Sequence, residues 1–166
     1  MQALTQAQVR ALFSYDPTTG MLSNRVARGS RALVGKSAGW RDKSGYRVLQ
    51  VDGIFYTATH LIWVYMTGEW VDCQIDHRDQ NPRNDRWLNL RKATMSQNMI
   101  NRVSRSKNTG FRGVRFTPRK TAFQAVIKKD GKTLCLGSYK TAEQAARVYD
   151  VAAKKLHGKF AMLNFP

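Results

Sequence analysis

Acidic residues are scarce in this chain. Eleven Asp and Glu stand against 28 Lys and Arg in 166 residues, a formal net charge of +17. That imbalance exceeds what solubility asks for and points to a polyanionic partner, with nucleic acid first among candidates. Cysteine is scarcer still. Cys73 and Cys135 are the only two, which excludes a disulfide framework and a cysteine-built zinc module. Both are expected to be plain buried or half-buried thiols in a reducing compartment. Long apolar runs are missing too. The longest, about Leu61 to Met66, is far too short to cross a bilayer. No basic segment followed by an apolar one opens the chain, so no signal peptide is expected. The expectation is a soluble cytoplasmic protein with no membrane contact. What is present suffices for a core: the hydrophobic fraction is 42%, with four Trp and seven Phe.

The positive charge is unevenly spread. Residues 1–71 hold eight basic and four acidic residues, whereas residues 72–166 hold twenty and seven. Between Arg102 and Lys120 there are seven basic residues and no acidic one. A solvated basic face is the bland explanation of such a run, and a footprint on nucleic acid is the sharper one.

Local patterns divide the chain. Thr5-Gln6-Ala7-Gln8 has the form of a capping box, followed by Val9, Leu12 and Phe13 at helical spacing, so a short helix is expected over 5–14. "YDPTTG" (Tyr15 to Gly20) reads as a turn. "YRVLQVDGIFYTATH" alternates on both sides of Asp52-Gly53, a hairpin signal. "HLIWVYMTG" (His60 to Gly68) reads as a buried helix closed by glycine. "WVDCQI" and "NLRKAT" read as strands, and Thr94-Met95-Ser96-Gln97 as the start of a short helix. "VSRSKNTG" (Val103 to Gly110) is polar, basic and rich in turn formers, which makes it the expected linker. Beyond it, Phe111 to Phe116, Phe123 to Lys128 and Leu134 to Tyr139 read as strands. A helix follows, opened by the box Thr141-Ala142-Glu143-Gln144 and ended by Gly158. Its Ala145, Val148, Tyr149, Ala152 and Leu156 make an apolar stripe.

Between these halves stands "IDHRDQNPRNDRWLNL" (Ile75 to Leu90), where Asp76 and His77 end an apolar strand. Histidine suits proton abstraction near neutrality, and Asp and Asn oxygens suit a hard cation. An isolated Asp-His pair is usually a surface pair. Here Asn89 and Asn98 follow in a strand, loop, strand, helix order that could close around one cation. Asn84 and Asp85 are expected to cap the loop. Arg83, Arg86 and Arg91 are either phosphate contacts or solvated charges. His60 and His157 are expected to be structural.

The run "IDHRDQNPRNDRWLNLRKATMSQNMIN" resembles the HNH nuclease family with its ββα-metal fold. It looks most like the phage and intron-encoded HNH homing endonucleases. The resemblance covers about residues 73–101, and "YDPTTG", "GYRVLQVDG" and "HLIW" also resemble what precedes the motif in such proteins. It implies His77 as general base, Asp76 and Asn98 as metal ligands, and Asn89 as the residue that orients the base and braces the loop. The family's last His is Asn98 here, a departure that implies an oxygen site for magnesium or manganese rather than zinc. The compartment implied is the host cytoplasm if the chain is phage-encoded.

The stretch from Phe111 onward closely resembles the Apetala-two (ethylene-response-factor) DNA-binding domain of plant regulators. "RGVR", "LGSY", "TAEQAARVYD", "HG" and "LNFP" carry the likeness. It implies a three-stranded sheet laid in the major groove. Family contact positions fall on Arg112, Arg115, Arg119, Val126, Lys128 and Cys135. Alternation on the second strand turns Phe123, Ala125 and Ile127 inward and Gln124, Val126 and Lys128 outward. On the third, Leu134 and Leu136 are expected inward, and Thr133 and Cys135 outward. Arg112 and Arg115 have opposite strand parity, and Gly113 is the place for a compensating bulge. Tryptophans of the plant pattern are replaced by Arg119 and Cys135, an acidic residue by Val126 and an arginine by Lys128, with an insertion near Lys120. The plant recognition sequence is therefore not transferable.

The expected architecture is α+β. Residues 1–102 form a ββα-metal nuclease domain with an N-terminal α/β extension, 103–110 a basic linker, and 111–166 a three-stranded antiparallel sheet packed on one helix. Arg102, Arg105 and Lys107 of the linker region join Arg112, Arg115, Arg119, Gln124, Val126 and Lys128 as expected DNA contacts. The expected activity is site-selective, metal-dependent hydrolysis of DNA, as nicks, by a monomer or dimer with no protein partner. The rival expectation is a DNA-binding regulator whose nuclease half is inactive. A weaker rival is a nuclease acting on RNA or on branched DNA.

Overall fold

The computed structural model describes residues 4–30, 32–101, 106, 108–129 and 131–166. The chain folds as two compact units, Met1–Met95 and Ser96–Pro166.

The first unit opens with helix α1 (Gln6–Leu12), whose Thr5 hydroxyl and Gln8 side chain close a reciprocal capping box. The helix is shorter than its apolar spacing suggested. Phe13 leaves it in extended conformation and starts strand β1 (Phe13–Asp16), which pairs antiparallel with β2 (Met21–Asn24). Phe13 and Tyr15 are buried while Ser14 and Asp16 are exposed, the period of a strand. Strands β3 (Trp40–Arg41), β4 (Arg47–Val51) and β5 (Ile54–Thr57) form a sheet in that order. The β4–β5 turn is Asp52-Gly53, both at positive φ, as the Asp-Gly signal required.

Helix α2 (Ala58–Thr67) follows directly and ends on Gly68 in the left-handed region, φ 80°. It begins two residues before His60. His60 itself ties Thr57 Oγ1 (2.6 Å) to the Cys73 carbonyl (3.2 Å), the structural role expected of it. Gln6 and Arg10 of α1 donate to the Tyr65 carbonyl, near the α2 C-terminus. Phe13, Leu22, Leu49, Leu61 and Ile62 are buried almost completely and form the centre of the core. Each such side chain stabilises the fold by about 1.5–3 kcal/mol relative to exposure. Strand β6 (Gln74–His77) then pairs antiparallel with β7 (Leu90–Ala93), and Ile75 and Leu90 anchor that ribbon in the same core. The strand is shorter than "WVDCQI" suggested: it begins only at Gln74, and Trp70 before it donates to the Leu4 carbonyl. Helix α3 (Met95–Asn101) continues the chain, so β6, β7 and α3 run in the order strand, strand, helix.

The second unit holds strands β8 (Val114–Phe116), β9 (Phe123–Lys129) and β10 (Lys132–Tyr139), in the order β10-β9-β8, all antiparallel. Helix α4 (Ala142–His157) has the expected capping box at Thr141 and stops at Gly158. Ala145, Ala146, Tyr149 and Ala153 are buried, and Ala125 and Ile127 of the sheet are buried in the same clusters. The sheet register breaks between Cys135 and Gly137. Leu136 lies at this bulge and is packed into the core. Leu134, expected inside, stays 42% exposed although it faces Ile127 across the pair, close to the hairpin turn. Ser106, Asn108, Thr109 and Gly110 form a hydrogen-bonded turn, with the Ser106 carbonyl accepting from Gly110. The rest of the expected linker, 103–105 and 107, lies outside the described residues.

Candidate active site and nucleic-acid interface

Asp76 and Arg91 face each other across the β6–β7 pair. Arg91 Nε donates to Asp76 Oδ2 at 2.8 Å, and both side chains are nearly withdrawn from solvent. Carboxylate and guanidinium are each other's compensation, since an unpaired charge at that depth is strongly disfavoured. Arg91 is thus a buried partner of the acidic residue, a role outside the two expected for it.

His77 is the last residue of β6 and is also buried. Its Nε2 lies 3.0 Å from Asp85 Oδ1, and the Tyr46 ring stands 5.9 Å away. Asp85 is 2% exposed, and its Oδ2 lies 3.6 Å from both Arg41 Nη2 and Arg47 Nε. Sequence reasoning made Asp85 a loop cap and did not connect it to His77. The available signal was Arg47, on a strand between apolar Tyr46 and Val48, which needs an anion once buried. Burial lowers the Arg47 pKa, repulsion from Arg41 lowers it further, and the Asp85 carboxylate opposes both.

Residues 78–89 connect the two strands, and Asn89 holds that connection. Its Oδ1 accepts from the Asp79 amide, and its Nδ2 donates to Asp79 Oδ1 and to the Asn84 carbonyl. Its own carbonyl accepts from the Arg78 amide. Asn84 caps the loop as expected, donating to Asp79 Oδ2 at 2.7 Å. Burial pushes the Asp79 carboxyl up. Bonds from Asn84, the Asn81 amide and Asn89, together with neighbouring His77, outweigh it and leave the pKa below its ordinary value.

The N-terminal elements clamp the same loop from outside. Tyr15 Oη donates to the Asp85 carbonyl at 2.7 Å, and the Trp87 amide donates to the Pro17 carbonyl. Arg41 donates to the carbonyls of Pro82 and Arg83. Gly20 passes so close that a β-carbon there would stand 2.6 Å from the Asp85 carbonyl carbon and the Arg86 amide nitrogen. The Trp87 ring packs on Trp63 of α2 at 4.9 Å. Desolvation and the Asp85 and Asp16 charges raise the Tyr15 phenol above its usual range, so it stays a donor.

In the second unit, strand register sorts the expected contacts. Arg115 pairs with Gln124, Gln124 with Ser138, Val126 with Cys135, and Lys128 with Thr133. These residues alternate with buried Ala125 and Ile127 and so line the face turned away from α4. Arg115 Nε donates to Gln124 Oε1 at 3.2 Å. Cys135 is exposed on this face, as the strand alternation placed it and unlike the buried or half-buried thiol that cysteine scarcity suggested, because β10 turns it away from the core. Arg119 is exposed in the β8–β9 connection, beside Lys120 at φ 55°.

Arg112 lies before β8, so strand parity does not govern it. Its guanidinium bonds Tyr149 Oη at 2.9 Å and the Ile100 carbonyl, and its amide donates to Asn164. Gly113, at φ 67°, leaves no room for a side chain, since a β-carbon there would stand 2.0 Å from Tyr149 Cδ2. Asn98 is half-buried on α3, which belongs to the second unit from Ser96 onward. Arg102, Arg105 and Lys107 lie outside the described residues.

Comparison with known proteins fixes the family. The HNH endonuclease family model matches residues 56–100. An uncharacterized HNH endonuclease of Acanthamoeba polyphaga mimivirus is 32% identical over 133 residues, covering 80% of this chain and 69% of that protein. This chain belongs to the HNH endonuclease family. It is a DNA-cleaving enzyme, and the matched segment runs from β5 into α3 and contains Asp76, His77, Asn89 and Asn98. A solved structure of DNA binding and cleavage by the HNH homing endonuclease I-HmuI aligns over 95% of this chain and 91% of its own, with TM-score 0.43 and 19% identity.

The C-terminal part of this HNH endonuclease has different relatives. An AP2-like ethylene-responsive transcription factor of Arabidopsis thaliana is 44% identical over 64 residues, 39% of this chain and 13% of that protein. Ethylene-responsive transcription factor 3 of Nicotiana tabacum is 46% identical over 63 residues, 37% of this chain and 28% of that protein. The chain thus spans a minor part of these plant relatives. Among the described residues, no helix is long and apolar enough to cross a membrane, and no group of three or more His, Cys, Asp or Glu could hold a metal ion.

Proposed function

We propose that the enzyme is a site-selective, divalent-metal-dependent endonuclease that nicks duplex DNA and leaves 5′-phosphate and 3′-hydroxyl ends. The observation carrying this reading is the buried Asp76-His77 pair at the end of β6, inside the matched family segment and beneath a loop braced by Asn89.

His77 takes a proton from water as the water oxygen bonds to phosphorus. The bond from phosphorus to the 3′-oxygen breaks, and that oxygen takes a proton from solvent. Asp76 and Asn98 would hold the cation. Their donors are a carboxylate and an amide oxygen, which suit magnesium or manganese with several retained waters. A closed four-ligand zinc site has no donor set among the described residues. When bound, a divalent cation supplies positive charge against the charge developing on phosphate and leaving oxygen. Arg91 orients the Asp76 carboxylate through its 2.8 Å bond, and Asn89 keeps the loop over His77 in one shape. One such site per chain makes a single-strand nick the direct product of a monomer, and two chains or two events would be needed for a double-strand break.

The second unit supplies the address. Arg115, Gln124, Val126 and Lys128 share one sheet face with the polar range that base edges and phosphates require. Arg119 extends that basic surface at one end, and Arg102, Arg105 and Lys107 of the basic stretch would contact phosphates. Arg112 would act by holding the fold behind this face.

Relaxation of supercoiled plasmid carrying the native locus, with magnesium, tests the reading. Wild type should give open circles before linear product, and His77→Ala at matched DNA occupancy should give neither. If wild type and variant bind alike and neither cuts, the chain acts as a binding regulator and the proposal fails.

A further inference from the structure

The Asp85 carboxylate sits where a base-orienting group would sit, yet nothing above gives it a part in the reaction. Its environment is built for one task. Oδ1 meets His77 Nε2 at 3.0 Å, and Oδ2 faces Arg41 and Arg47 at 3.6 Å each. Its backbone is fixed by the Tyr15 hydroxyl, by Gly20 packed against its carbonyl carbon, and by Arg41 bonds to Pro82 and Arg83. Arg47 is itself pinned to Ser37 Oγ and to the carbonyls of Leu22 and Ala38. Three elements outside the β6–β7 ribbon thus converge on one buried carboxylate whose near neighbour is the histidine.

We propose that Asp85 is a positioning residue for His77: it accepts the Nε2 proton, fixes the ring's tautomer and orientation, and presents Nδ1 as the basic nitrogen. The inference rests on the reading of His77 as general base. A neutral imidazole carries one proton, so an acceptor held at Nε2 places the lone pair on Nδ1. A carboxylate accepts only, and the two arginines donate only. The acceptor is therefore held in place by groups that cannot compete for its role. This gives the N-terminal extension a function in catalysis, because β1, β3 and β4, with Gly20 after β1, deliver the residues that hold Asp85.

Asp85→Asn is the informative variant. The arginines would draw the amide oxygen toward themselves and turn the amide nitrogen, a donor, toward Nε2. The His77 proton would then move to Nδ1 and occupy the basic nitrogen. Single-turnover cleavage at saturating DNA should fall about a hundredfold or more, with Kd for DNA unchanged. Ring 15N shifts of histidine-labelled full-length protein should show the proton on Nε2 in wild type and on Nδ1 in the variant. A wild-type His77 protonated on Nδ1 overturns the inference whatever the variant does, so the test survives a variant that fails to fold. Normal cleavage by Asp85→Asn, with His77→Ala inactive, overturns it alone. Normal cleavage by His77→Ala overturns the reading of the base beneath it.

Discussion

Asn89 and Asp79 hold each other twice. Asn89 Oδ1 accepts from the Asp79 amide at 3.1 Å, and Asn89 Nδ2 returns a bond to Asp79 Oδ1 at 2.9 Å. A further bond from Nδ2 to the Asn84 carbonyl, 2.7 Å, makes this one side chain the centre of the loop. Asn89→Asp keeps the size and removes both donated bonds while setting a second carboxylate beside Asp79. A stability loss of about 1–3 kcal/mol is expected. Thermal melts report it directly. Cleavage should fall more than the change in folded fraction accounts for, because the loop also holds Asp85 at His77.

Arg91 offers a sharper contrast. Replacing it by Met removes a charged partner of a carboxylate that is 5% exposed. Breaking a buried pair from one side costs about 3–5 kcal/mol, whereas replacing both partners by apolar groups is often neutral. Arg91→Met should therefore be much less stable than wild type in urea unfolding, and Asp76→Leu/Arg91→Met should recover most of the loss. The double variant should remain unable to cut DNA.

Acid should weaken the first unit through carboxylates held low in the fold. The Asp16 pKa falls from 3.8 to about 2, through the side-chain bonds from Thr18 and Thr19 and the Thr18 amide. Asp79 is lowered too, by bonds from Asn84, Asn81 and Asn89 that outweigh burial. A depressed folded pKa means that the unfolded chain takes up the proton first. The stabilisation is complete above the unfolded pKa near 4 and disappears as pH falls through the folded one. Unfolding titrations between pH 5 and 2 should show a smaller acid-induced loss for Asp16→Asn and Asp79→Asn than for wild type. Parallel curves for all three proteins would remove these groups from the acid response.

Elements set by neighbours in sequence were legible in advance. The capping boxes at Thr5 and Thr141, the Asp52-Gly53 turn and the inward set Phe123, Ala125 and Ile127 all rest on contacts a few residues apart. The β1–β2 hairpin was not, because Phe13 and Tyr15 continue an apolar spacing that a helix shares over so short a stretch. Asp85 was legible only as a loop cap, for a different reason. Its partners Tyr15, Arg41 and Arg47 are decided by tertiary packing 38 to 70 residues away. Arg112 shows the same limit, since only the fold could reveal that Tyr149 and Ile100 take its guanidinium.

The outer face of the C-terminal sheet divides into two kinds of contact. Arg115 is held by Gln124, and a guanidinium fixed in direction suits bidentate recognition of a guanine edge. Lys128 is exposed and pairs across strands with Thr133, a pattern suited to phosphate. Lys128→Ala should weaken binding about equally on the native locus and on unrelated duplex, and should reduce the slope of log affinity against log salt by about one. Arg115→Ala should cost about 1–3 kcal/mol on the native locus and little on unrelated duplex. Competition binding across a salt series separates the two. Equal losses on both duplexes for Arg115→Ala would make this face a phosphate grip alone, and the address would then have to lie elsewhere in the chain.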